Sequence, residues 1–383
     1  TSWGCKGKKQ RLRKDEKLMT LTKKSRETID ACRFCWMCRH ICPIGNATGH
    51  ERNNARARAL SLSLVNRGAA TLAEGVADNI YECALCGACT KECATGWDPV
   101  SFTKDVRLQM ALDGMLPEYI NHILDNLEHT GNPYGTTVMD TDLVKEIASL
   151  PDTSDILLFL GMDTRYRMPQ AGVNAIRLLK KAGIVFTVLL EEPDSGYTLD
   201  TLVGAAEETR ETMKKAADIL SRYKTVVAFD PADAKVFQRE YKEWDIPIRT
   251  QVKTFTEYVT DMIAAGRLKP KKKSGTVTIQ DPALLARDLE ESDPLRVAVS
   301  ACADIREMLL NRKDTMWAGN LLMDTWMPEV MLKVAEERWR NALASGADTL
   351  VTASPSEYAI LKKAKPEDME LLSLEELLLL MTK

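Results

Sequence analysis

The chain has 383 residues, 45% of them hydrophobic and 28% charged, with a formal net charge of −3. That length allows two or three domains with substantial cores, and the near balance of charge singles out neither a polyanion nor a polycation as partner. No apolar stretch approaches the ~20 residues of a membrane-spanning helix; the richest, Leu377 to Met381, reads as a short closing amphipathic helix.

Residues 1–28 read as a basic N-terminal arm. Lys6, Lys8, Lys9, Arg11, Arg13, Lys14 and their followers to Arg26 meet only Asp15 and Glu16. A solvated arm is the plain expectation. The functional alternative is docking on an acidic partner subunit or on the inner face of a membrane. Trp3 is the only aromatic residue there, which argues against nucleic acid. Cys5 has no partner at ligand spacing.

Eight of the ten cysteines then fall into two copies of one spacing, C-x2-C-x2-C-x3-C. The first copy is Cys32, Cys35, Cys38 and Cys42; the second is Cys83, Cys86, Cys89 and Cys93. Soft thiolates this close on one loop can wrap three irons of a cubane 4Fe-4S cluster, and the fourth thiolate must come from elsewhere. Structural zinc usually takes well-separated C-x2-C knuckles, and disulfide frameworks belong to small secreted domains. With no secretory signal ahead of them, these thiols point to a reducing, cytoplasmic location.

The runs are similar to those of bacterial two-cluster ferredoxins. That resemblance implies a crossed ligand set: Cys32, Cys35, Cys38 and Cys93 on one cluster, and Cys83, Cys86, Cys89 and Cys42 on the other. Pro43 follows Cys42 as in the ferredoxin pattern, whereas Ala94 follows Cys93. Phe34, Trp36, Met37 and His40 around one cluster, and Leu85 and Gly87 around the other, are candidates for tuning its potential. His50, His122 and His129 read as surface or capping residues.

Between the runs, His50 to Asn66 has helical spacing. Residues 103–127 read as further helices broken near Gly114 and Pro117, and a loop from Thr130 to Gly135 follows. An α-helical ferredoxin domain over residues 29–135 is expected. From Asp155 the pattern alternates: strand Asp155 to Leu160, helix Gln170 to Ala182, strand Ile184 to Leu190, helix Thr198 to Arg222, strand Thr225 to Phe229, helix Ala232 to Tyr241. Alternation of this kind predicts parallel β-α-β packing. A linker, Gly266 to Gly275, precedes a second alternating half with strands Thr276 to Ile279 and Thr349 to Ala353 and a helix Pro328 to Ala344. The expected fold class is α+β multi-domain, with a helical domain followed by two related α/β modules, 151–266 and 275–383. Cys302 reads as a lone buried thiol packing as a small hydrophobe.

The whole chain resembles the iron–sulfur subunits grouped around the heterodisulfide reductase D subunit, the glycolate oxidase iron–sulfur subunit and the anaerobic glycerol-3-phosphate dehydrogenase C subunit. These join a twin-cluster domain to two cysteine-rich CCG modules. Here FLGMDTRY (Phe159 to Tyr166), EEPDSGY (Glu191 to Tyr197) and FDPAD (Phe229 to Asp233) match the frame of the first module. QDPALLARDL (Gln280 to Leu289), NRKDTMWAGN (Asn311 to Asn320) and TASPSEYAIL (Thr352 to Leu361) match the second.

Set against that family, every module thiolate is replaced. Met162, Asp194, Ser195, Asp230 and Asp233 stand in the first set of ligand places, and Ala283, Trp317, Ala318, Ser354 and Glu357 in the second. Such side chains cannot replace soft sulfur ligands, so no noncubane cluster is expected and the modules read as scaffold. Asp194, Asp230 and Asp233 offer hard oxygens to a magnesium or calcium ion, against the plainer reading of polar filling and helix caps. Trp317 fills volume or stacks on a flavin.

No nucleophilic triad, phosphate loop or dinucleotide fingerprint appears, so no residue is assigned to catalysis. The implied function is electron relay within a hetero-oligomeric oxidoreductase. By resemblance, its partners are a subunit carrying FAD or FMN and a second electron carrier. The alternative is a disulfide or quinone reductase with a non-thiolate site in the C-terminal modules.

Overall fold

The computed structural model describes residues 22–33, 35–70, 74–272 and 275–382, so Phe34 and the basic arm as far as residue 21, with Cys5, lie outside the described residues, while the arm's last residues enter the helix Lys23–Ala31. The chain divides into two compact units. One runs to His129 and also takes in Thr198–Thr209; the other holds Thr130–Tyr197 and Arg210–Lys383.

The first unit is helical, with Lys23–Ala31, Pro43–Thr48, Ala55–Asn66, Glu74–Tyr81, Ala88–Glu92, Pro99–Asp113 and Glu118–Thr130. The helix expected from His50 starts instead at Ala55, because the Asn54 side chain accepts the Ala57 N–H at 3.0 Å and caps it. Asp98 caps the next long helix in the same way, with Pro99 at its first position. Gly114 ends that helix with φ 69°, as its place in the sequence implies.

Buried Arg107 ties this unit together. Its guanidinium donates to the carbonyls of Ile80 (3.0 Å), Cys83 (2.7 Å) and Thr201 (2.6 Å), and lies 4.8 Å from the Tyr81 ring centroid. Tyr81 in turn donates to Leu202 O at 2.7 Å, and Lys104 pairs with buried Asp200 at 2.6 Å. These bonds hold Thr198–Thr209 in the unit. They also correct the expected continuous helix from Thr198 to Arg222, which is two helices, Tyr197–Val203 and Glu207–Leu220. Gly204 sits in the break at φ +60°, where a Cβ would come within 2.7 Å of the Lys104 carbonyl.

The second unit holds two wholly parallel sheets. Strands β1 (Ile156–Phe159), β2 (Thr225–Ala228) and β3 (Gln251–Thr254) form the first in the order β1-β2-β3. Strands β4 (Thr276–Gln280), β5 (Asp304–Ile305), β6 (Thr349–Thr352) and β7 (Glu370–Ser373) form the second in the order β5-β4-β6-β7. Central strands of a parallel sheet are covered on both faces and read as continuous apolar runs. ILLF and TVVA do so: Leu158 and Val227 enter one core, while Leu157, Phe159, Val226 and Ala228 enter another.

The core reached by Leu158 and Val227 also contains Val277, Ile279 and Val351 from the second sheet. Leu374, Leu377 and Leu378 of the closing helix Leu374–Met381 join it, as does fully buried Cys302. The two α/β halves therefore share one hydrophobic core. The Gly266–Gly275 stretch is not a free spacer, since Leu268 enters that core and Pro270 bridges to Thr382. The expected strand Ile184 to Leu190 reduces to one bridge, with Leu158 N–H donating to Thr187 O and Thr187 N–H to Ile156 O, both at 2.9 Å. The helix begun at Pro231 loosens into a wide turn over Val236–Glu240 before ending at Glu243.

Candidate metal centre

The second cysteine run folds as a tight loop entering the helix Ala88–Glu92. Leu85 (φ 51°) and Gly87 (φ 73°) both take left-handed backbone, which curls Cys83, Cys86 and Cys89 around one point. Those three thiols line a single cavity together with Cys42 of the first run, walled by Ile44, Ala55, Leu85 and Val100. Cys42 reaches it as the cap of the helix Pro43–Thr48, its sulfur accepting the Gly45 N–H at 3.4 Å and donating to Asn53 O at 3.3 Å.

Burial disfavours the thiolate form at two of these cysteines, Cys42 and Cys89. Burial pushes the Cys42 thiol up to about 12; Arg58 opposes this, and Cys86 and Cys83 reinforce it. Burial likewise drives Cys89 well above its ordinary value, followed by the like charges of Cys83, Cys86, Cys42 and Cys38. A site that repels its own thiolates becomes stable when cations lie between them, which is what an iron–sulfur core supplies. The donor set is soft, apolar-walled and fourfold, and it fits a 4Fe-4S cluster.

Cys32, Cys35 and Cys38 gather in the first loop. Cys32 ends the helix Lys23–Ala31, Cys35 is exposed and Cys38 is buried. Burial raises the Cys38 thiol, and the neighbouring Cys32 and Cys35 add to it. Cys93 closes the helix Ala88–Glu92, its sulfur 3.2 Å from the Thr95 hydroxyl. Burial would raise this thiol, but hydrogen bonds from the side chain and backbone of Thr95 and from the Trp97 backbone outweigh it and hold the value low. Among the described residues, no three His, Cys, Asp or Glu side chains close to the spacing of a single-ion site. Thiolates around a cubane stand further apart, because four irons and four sulfides lie between them.

Trp36 and Met37 stand exposed beside Cys35, as does His40, whose carbonyl accepts from Asn46 Nδ2 at 2.8 Å. Arg58 and Arg107 are buried cations beside this site that the motif gave no cue to; their only signal was arginine on the apolar face of a helix.

The positions of the α/β unit that the family resemblance singles out are hydrogen-bonded or packed. Asp194 accepts the Gly196 N–H at 2.8 Å, Ser195 Oγ the Tyr197 N–H at 3.3 Å, and Asp230 caps Pro231–Lys235 through Ala232 N–H at 2.9 Å. Asp233 is buried beside Gly161, where a Cβ would come within 2.2 Å of its Oδ2. Burial raises Asp194 to about 6, and it raises Asp230 and Asp233 as well, each reinforced by neighbouring carboxylates. In the second half, Ser354 caps Pro355–Lys363, and Trp317, Ala318 and Ala283 are buried. Glu357 accepts from Gln280 Nε2 (2.8 Å) and from Ala283 N–H (3.2 Å), while fully buried Arg338 donates to Gln280 Oε1 and to the carbonyls of Leu309 and Leu310. Gly196 (φ 91°) and Gly319 (φ 102°) keep left-handed turns beside these places.

Residues 28–97 match the family described as 4Fe-4S dicluster domain. The chain is similar to the D subunit of the dihydromethanophenazine:CoB–CoM heterodisulfide reductase of Methanosarcina acetivorans, 25% identical over 359 residues, covering 85% of this chain and 87% of the relative. It is also similar to a probable membrane-anchored ferredoxin of Chromohalobacter salexigens (27% identical; 59% and 36% covered). The EtfAB:quinone oxidoreductase of Syntrophomonas wolfei is 25% identical, with 55% of this chain and 31% of that protein covered. Among the described residues, no helix is long and apolar enough to cross a membrane. Cysteine loops and likeness agree: the chain carries a 4Fe-4S dicluster domain and, over most of its length, is similar to the D subunit of heterodisulfide reductase.

Proposed function

We propose that this chain relays single electrons through two 4Fe-4S clusters, between a flavin-bearing dehydrogenase subunit and a downstream carrier, inside a multi-subunit oxidoreductase. The convergence of Cys42 with Cys83, Cys86 and Cys89 on one cavity carries the reading, because it draws the two runs into one interlocked domain. Cys42, Cys83, Cys86 and Cys89 would hold one cluster, and Cys32, Cys35, Cys38 and Cys93 the other. When bound, each cluster takes up and gives back one electron.

The chain's own residues set the conditions for that exchange. Ile44, Ala55, Leu85 and Val100 keep water from one cluster site, the Gly45 N–H points at the Cys42 sulfur, and Arg58 places a cation nearby. Burial, hydrogen bonds to sulfur and local charge are the levers on cluster potential. In this reading substrate conversion belongs to a partner. The hydrogen-bonded, filled ligand places of the α/β unit support its role as a scaffold for neighbouring subunits, on the cytoplasmic side or peripheral to the inner membrane face.

Native mass spectrometry of the assembly isolated anaerobically through this chain tests the reading. A flavin-bearing partner and the mass of two cubane clusters on this chain are expected. A lone chain with further cluster mass would sink the relay and move catalysis into the α/β unit.

A further inference from the structure

The two cysteine loops share one left-handed backbone position and differ in what they show to solvent. In the second loop the residue after the middle cysteine is Gly87, with φ 73°; in the first the matching residue is Trp36, with the same φ of 73°. Glycine adopts that conformation freely, whereas a bulky side chain holds it only under strain. The strained residue is not buried in return: Trp36 is 43% exposed and its neighbour Met37 is 45% exposed.

The surface continues from there. The Arg56 guanidinium lies 3.8 Å from the Trp36 ring centroid, and that of Arg39 lies 5.2 Å from it. Arg56, Leu60 and Leu64 follow one another at four-residue spacing on one face of the helix Ala55–Asn66, and both leucines are exposed (45% and 46%). An apolar strip thus runs from the exposed Cys35 sulfur along the helix. Arg56 is paired with Glu51, but the loop beside it is basic. Between Cys32 and Cys42 the loop carries Arg33, Arg39 and His40 and no acid, while the second loop balances Lys91 with Glu92.

We infer that this strip is the docking surface at which an acidic electron-transfer protein exchanges electrons with the Cys32–Cys35–Cys38 site. The assignment rests on the relay reading of that site. An apolar centre with a basic rim complements an apolar centre with an acidic rim, and electron-transfer encounters need only small interfaces, under roughly 1,200 Å². The exposed Cys35 makes this the short path for an electron, since the matching Cys86 is buried. In each encounter the donor flavin loses one electron and this chain gains it, with no bond made or broken.

The test uses the full, cluster-loaded chain in anaerobic stopped flow with two electron donors: fully reduced flavodoxin, an acidic flavoprotein, and the small methyl viologen radical. Arg39→Glu and Leu60→Glu are each expected to slow reduction by flavodoxin about tenfold or more at low salt. Arg39→Glu is also expected to flatten the salt dependence, because a rim charge acts on the encounter rate. Reduction by viologen and the cluster absorbance should stay as in the parent chain. Flavodoxin rates untouched by both substitutions would overturn the assignment. So would a chain whose self-association is what Leu60→Glu abolishes, or whose binding to anionic phospholipid vesicles is what Arg39→Glu abolishes, with flavodoxin rates unchanged. Clusters that viologen cannot reduce would remove the relay reading itself, and the docking surface with it.

Discussion

The two units answer the same problem, a buried spot ringed by polar or reactive side chains, in opposite ways. In the helical unit, four thiols face one apolar cavity, and burial raises the proton affinity of Cys42 and Cys89, an arrangement that makes sense around a cluster. In the α/β unit, the places that the family resemblance aligns with module cysteines carry hydrogen-bonded polar groups and packed hydrophobes. The backbone turns are kept in both. Gly319 still sits where a Cβ would press within 2.7 Å of Ile360, and Gly196 where one would press within 2.5 Å of Met213. Turn geometry at these glycines is held by the packing around them.

The largest effect expected from this contrast is on the thiol side. Cys86→Ser replaces a soft ligand with a hard one and should remove about half of the chain's iron and stop electron flow through the assembly. Iron analysis and turnover with the native partner measure both. Full turnover with one cluster missing would break the contrast, because the preserved thiols would then serve folding alone.

Next in size is the removal of a replacement group. Glu357→Ala leaves Gln280 Nε2 and the Ala283 N–H without their acceptor and takes the nearest anion from buried Arg338. Breaking a buried charged network costs about 3–5 kcal/mol, so denaturant midpoints at pH 8 should fall accordingly. A loss below about 1 kcal/mol would show that Glu357 merely occupies space. Sequence reading singled out Glu357 by family resemblance but did not see this network, because Arg338 lies in an unremarkable helix and Gln280 at the end of β4. Only the fold brings them together.

The same limit explains the strands that sequence reading missed. The apolar runs ILLF, TVVA and TVTIQ announce themselves, while β3 (QVKT) and the two-residue β5 are polar edge strands with no such pattern. The break at Gly204 was equally hidden, since its cause is a carbonyl about a hundred residues upstream, that of Lys104. The cysteine spacing, by contrast, was local and showed directly which thiols share a loop.

Asp194 sharpens the comparison through pH. Its carboxyl is raised by burial to about 6, above the ordinary 3.8, with the Gly196 N–H opposing the shift. The folded chain thus holds this proton more tightly than the unfolded chain does. Below pH 4 both forms keep it and no penalty exists; as pH rises from about 4 to 6, the folded state loses up to about 3 kcal/mol, and beyond that the loss is constant. Asp194→Asn keeps an acceptor for Gly196 and removes the titration, so it should stabilise the protein above pH 6 and leave it nearly unchanged at pH 4. Equal shifts at both values would mean that the carboxyl sits in water.

The smallest effect separates scaffold from ligand most cleanly. Ser354 is a position that the family resemblance aligns with a cysteine, and here its hydroxyl accepts the Glu357 N–H at 3.2 Å as the cap of Pro355–Lys363. Loss of such a cap costs about 1 kcal/mol. Ser354→Ala should therefore lower stability by that amount and leave iron content and electron flow unaltered. A drop in iron would mean that this place still serves a metal, and the two units would then differ in the kind of ligand they offer rather than in whether they offer one.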